Sequence, residues 1–75
     1  MTWEELKEKA KEMGYHSSNN GFGWASKRLD KNVWITLYKD GTVNMNHETH
    51  ECSTVLTIAE HRTPEQMLMI MRGLE

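Results

Sequence analysis

Apolar residues recur at helical spacing near the two ends of the chain and at strand spacing between them. Trp3, Leu6, Ala10 and Met13 fall on one face of a 3.6-residue period, with Glu and Lys filling the other. Thr2 is placed to cap this helix, and Glu5, three residues on, to complete a capping box. Glu5 with Lys9, and Glu8 with Lys11, have the spacing of helical ion pairs. Gly14 is a natural stop, so the pattern predicts a helix over 3–13. Thr63-Pro64-Glu65-Gln66 repeats the start signal, with Pro64 suited to the first helical position. Beyond it Met67, Ile70, Met71 and Leu74 share one face, Leu68 flanks that face, and Met69 points nearly opposite.

Between the helices the period changes. Residues 15–23, YHSSNNGFG, show no period and read as loop. A strand is expected at about 23–29. VWITLY at 33–38 is β-branched and aromatic without a breaker, the clearest strand of the chain. Lys39-Asp40-Gly41 is a hairpin turn, and TVNMN at 42–46 alternates as a half-buried strand does. HETHEC (47–52) is expected as a polar turn, and STVLTIA at 53–59 as a fourth strand. The expected fold is a single α+β domain spanning 1–75. It is a two-layer sandwich in the order α-β-β-β-β-α, an antiparallel meander of three to four strands with both helices on one face.

Parity along the strands then separates two surfaces. Val33, Ile35 and Leu37 belong under the helices, which sends Trp34, Thr36 and Tyr38 to the open face. Trp24, Ser26 and Arg28 share one parity on the preceding strand. With matching registers, Trp24, Arg28, Trp34, Thr36 and Tyr38 form a patch of the residue types that dominate binding hot spots. Cross-strand shielding, or cover by Phe22 from the 15–23 loop, is the plainer use of the same rings. Met69 is expected to stand exposed and to extend a dimer or partner surface.

Composition narrows the classes. A formal net charge of −2 is too small to drive binding to nucleic acid or a membrane, and there is no long apolar run. Lys27, Arg28 and Lys31 make a basic cluster narrower than a usual nucleic-acid footprint. One cysteine excludes an internal disulfide and fits a reducing cytoplasm, and a helix signal beginning at Thr2 leads us to expect no signal peptide. HETHEC gathers two histidines, two carboxylates and Cys52. His47, His50 and Cys52 could serve zinc, but the H-E-x-x-H helix signature is absent, and a strand at 53–59 would hold His61 far from His50. Cys52 is expected to be a small buried residue. The expectation is a polar turn without metal or cofactor; a metal-stabilised domain is the alternative.

MTWEELKEKAKEMGY (1–15) and LTIAEHRTPEQMLMIMRGL (56–74) together resemble short proteins encoded by phages and mobile elements of Gram-positive bacteria. The resemblance covers about 34 residues at the two ends and carries over no catalytic or binding residue. The helix–meander–helix layout and the size also resemble small anti-CRISPR inhibitors. Many of those are strongly acidic mimics of nucleic acid, which this near-neutral chain does not match. The layout likeness implies a protein-binding inhibitor of a host bacterial protein; the expectation is a non-enzymatic module whose contact surface, read from strand parity, is the sheet aromatics, with a homodimer as a further expectation. A nucleic-acid-binding module using the same face is the alternative of a different class.

Overall fold

A computed structural model describes residues 1–17 and 23–74. The elements are α1 (Trp3–Glu12), β1 (His16–Ser17), β2 (Trp24–Asp30), β3 (Val33–Tyr38), β4 (Val43–Glu48), β5 (Ser53–Ala59) and α2 (Pro64–Gly73). The five strands form one antiparallel sheet in chain order, a pure meander. This is the expected α+β arrangement with one strand more. β1 lies where a loop was expected; two residues are too few to display a period, so pairing with Ser26 and Ala25 defines it.

Both helix starts are built as their sequences dictate. Thr2 Oγ1 accepts the Glu5 N–H at 3.2 Å, and Glu5 Oε1 accepts the Thr2 N–H in return. Thr63 and Gln66 repeat the exchange at 3.2 and 2.9 Å. Glu5 is thereby committed to its cap, and the ion pair recorded on α1 joins Glu4 to Lys7 at 3.4 Å instead of using Glu5 or Glu8.

The core lies between the helices and one face of the sheet. Trp3, Leu6 and Ala10 of α1 and Met67, Leu68 and Met71 of α2 meet Ala25, Ile35, Leu37 and Val43, with Tyr15 closing one end. Leu68 is buried and Leu74 is exposed, the reverse of the ranking expected from spacing alone. Leu68 reaches the flank of α1 beside Met13, whereas Leu74 follows the last turn of α2 and is its C-cap.

The β3–β4 connection is a three-residue hairpin. Gly41 donates to the Tyr38 carbonyl at 3.0 Å and Tyr38 to the Thr42 carbonyl at 2.9 Å, with Gly41 at φ +92°. Asp40 Oδ1 accepts the Thr42 N–H at 2.9 Å. That bond holds the Asp40 carboxyl below its ordinary range. A depressed folded value stabilises the fold above the unfolded pKa, near pH 4, and the contribution is lost as pH falls through the folded value. Asp40→Asn should therefore narrow the gap between urea midpoints measured at neutral pH and near pH 3. An unchanged gap would show that the carboxylate is not held in this way.

Candidate functional site

The β2–β3 register brings the expected patch together. Trp24 pairs with Tyr38, Ser26 with Thr36, and Arg28 with Trp34. All six side chains lie on the face away from the helices, because their neighbours Ala25, Ile35 and Leu37 face the core. The three rings are half-buried, and Arg28 is exposed at the end of the patch. Phe22, expected as a cover, lies outside the described residues.

Three rows can be traced across this face. The middle row is polar: His16, Ser26, Thr36, Asn44 and Thr57 are successive cross-strand partners. Ser26 Oγ donates to the Ile35 carbonyl at 3.0 Å and lies 3.2 Å from Thr36 Oγ1. Thr57 Oγ1 donates to Asn44 Oδ1 at 2.9 Å. Thr36 is thus engaged within the sheet, which makes it a spacer between rings. On one side of this row stand Trp24 and Tyr38; on the other, Arg28, Trp34, Asn46 and Val55.

Arg28 is fixed before any partner arrives. Its guanidinium lies over the Trp34 ring, 5.5 Å from the centroid. Nε donates to the Asp30 carbonyl at 3.2 Å, and Nη2 to the Lys31 carbonyl. These bonds exist because β2 bulges between Arg28 and Asp30, turning the hairpin carbonyls back toward the side chain. Trp24, Ser26, Arg28 and Trp34 border a shallow depression of about 550 Å³. Beside Trp34, Asn46 Oδ1 is enclosed without a hydrogen-bond partner, an acceptor left unsatisfied on the patch.

The basic cluster is divided. Lys27 has the opposite parity to Arg28, and its ammonium sits 5.7 Å from the Tyr15 ring centroid. Only Arg28 of the two belongs to the aromatic face.

HETHEC is also divided. His47 and Glu48 belong to β4, and the turn is 49–52. Thr49 closes the turn: its N–H donates to the Cys52 carbonyl at 2.8 Å, and its Oγ1 accepts the Cys52 N–H at 3.1 Å. Cys52 is exposed, which corrects the expectation of burial. It lies in the turn that precedes β5, outside the buried core cluster. Among the described residues no group of three His, Cys, Asp or Glu side chains comes together in a way that could hold a metal ion.

A surface that the sequence did not announce lies on β5. Every residue of this strand except Ala59 is exposed, including Val55 at 56%, Leu56 at 62% and Ile58 at 43%. Its strand pattern is that of a buried element; the signal of exposure lies in the fold, where β5 is the edge strand of the sheet. Met69 is exposed at 72%, as its helical position foretold. No helix among the described residues is long and apolar enough to cross a membrane. Comparison with protein-family models, with curated proteins and with solved structures gives no match to this chain.

Proposed function

We propose that this chain is a non-enzymatic protein-binding module, and that its contact surface is the helix-free face centred on Trp24, Trp34 and Tyr38. The observation that supports this reading is the presentation of three half-buried rings and a pre-placed guanidinium on one strand pair. Large rigid rings offer contact area at small entropic cost, and an arginine already held by carbonyls loses little freedom on binding. The terminal-segment resemblance to phage and mobile-element proteins, together with the layout-and-size likeness to small anti-CRISPR inhibitors, supports a host bacterial protein as the partner and inhibition in the bacterial cytoplasm as the role.

The test is capture of partners from nuclease-treated bacterial lysate by the tagged chain, beside the double variant Trp34→Ala, Tyr38→Ala. The expected result is a stoichiometric protein partner that survives nuclease and whose recovery falls at least tenfold with the double variant, while circular dichroism of the variant stays native. Undiminished recovery by a folded double variant would remove the patch from the contact surface. Binding that depends on nucleic acid and falls steeply with salt would replace the reading with its alternative.

A further inference from the structure

β1 begins at His16, opposite Ser26, and the chain reaches it from α1 through Gly14 at φ +93°. Its pairing with β2 therefore stops short of Lys27 and Arg28, whose edge has no neighbouring strand among the described residues. The depression beside Trp34 lies at this bare edge. Lys27, whose parity is opposite to that of Arg28, still reaches its rim there.

The lining is cationic as well as aromatic. Lys27 and Arg28 border the depression with His16, Trp24 and Trp34, and no Asp or Glu does. The ion pairs of the described residues join Met1 to Glu65 and Lys7 to Glu4, so neither Lys27 nor Arg28 is neutralised among them. Glu48 stands in a separate depression on Trp34, with Lys31 and His50. Two uncompensated positive charges are thus gathered at two indoles, on a chain whose formal net charge is −2. The backbone carbonyls hold Arg28 by Nε and Nη2, and Nη1 makes no hydrogen bond among the described residues. A guanidinium fixed against an indole, with N–H groups to spare, matches the two oxygens of a carboxylate.

We infer that this depression takes an acidic segment of a protein partner. A carboxylate of Asp or Glu meets Arg28 and Lys27, and a neighbouring apolar side chain lies against Trp24 and Trp34. The inference rests on the protein-binding reading of the same face and adds the chemistry of what it binds. Charge complementarity selects the occupant: the lining supplies positive charge and lacks negative charge. A nucleic acid fits the same surface less well. Arg28 already covers one face of Trp34, so that face is closed to a stacked base. Two cations also give a phosphate backbone little to follow, whereas one carboxylate needs a single guanidinium fork.

The test is selection of peptides from a displayed random library on the full chain, followed by NMR titration of the enriched peptides. The indole N–H signals of Trp24 and Trp34 report on the depression, and that of Trp3, buried in the core, is the internal control. Enriched peptides should carry Asp or Glu beside an apolar residue, and should move the Trp24 and Trp34 signals but not that of Trp3. Replacing the peptide's acid by its amide should weaken binding about tenfold or more. Arg28→Gln, with native circular dichroism, should weaken it to the same extent, and the amide peptide should lose little further affinity for that variant. Enriched peptides without an acidic residue that move the same signals overturn the carboxylate assignment and leave the protein-binding reading in place. A library that yields no enrichment, peptides that move neither signal, or acidic peptides that bind Arg28→Gln undiminished overturn the inference. A short oligothymidylate that moves both signals at lower concentration than the acidic peptides overturns it together with the protein-binding reading.

Discussion

Leu37→Ala should lower the unfolding free energy by about 2–5 kcal/mol. A chain of this length has a total stability of roughly 4–11 kcal/mol, so the variant loses a large share of what holds it together. Leu37 is fully buried at the centre of the sheet, in the cluster that contains Leu6, Met67 and Met71. Truncation there removes apolar contact and opens a cavity that a two-layer domain cannot easily collapse, because strands flank the site on both sides. Urea unfolding checks this. The midpoint should fall with the slope unchanged, and a loss under about 1 kcal/mol would contradict a packed core at this position.

Gly41→Ala should be comparably harmful, by about 2–5 kcal/mol, although it adds one methyl group to a turn. Gly41 holds φ +92°, where side chains are strained. A Cβ there would also overlap the backbone N and O of Arg62. That contact is structural: Arg62 donates its N–H to the Gly41 carbonyl at 3.1 Å, docking the β5–α2 corner onto the β3–β4 turn. Gly73→Ala is the control. Gly73 has open space around its Cα, and alanine is the better helix former, so this change should be neutral or mildly stabilising. Equal melting temperatures for the two variants would show that Gly41 is not under this constraint.

The parts of the fold legible in the sequence were those whose physics is local. Thr2 with Glu5, and Thr63 with Gln66, announce their helices because a capping box needs residues three apart. The faces of β3 follow from strict alternation, and the strand separates Ile35 and Leu37 from Trp34 and Tyr38 as parity requires. The patch depended on register, which the short β2–β3 turn and the Arg28/Asp30 bulge set together. What depended on lateral packing was not legible. STVLTIA has the composition of a buried strand, and nothing within it tells that it forms the edge of the sheet. Cys52 looked buried for the same reason, being read from its own chemistry and not from its place at the end of a strand. Leu68 and Leu74 exchanged roles because spacing identifies a helix face but not how far the neighbouring helix extends.

Placing both helices on one side of the sheet has a practical consequence. The Met1 amino group lies 2.7 Å from Glu65 Oε1, in the first turn of α2, and Leu74 caps the far end of that ten-residue helix. The two ends of the described chain are therefore separated by about the length of α2, roughly 15 Å, and both lie within the helix layer. A linker, fluorophore or immobilisation tag attached at either end leaves from the side opposite Trp24, Trp34 and Tyr38. The molecule can be anchored to a bead or a sensor chip through its ends while the aromatic rings face the solution.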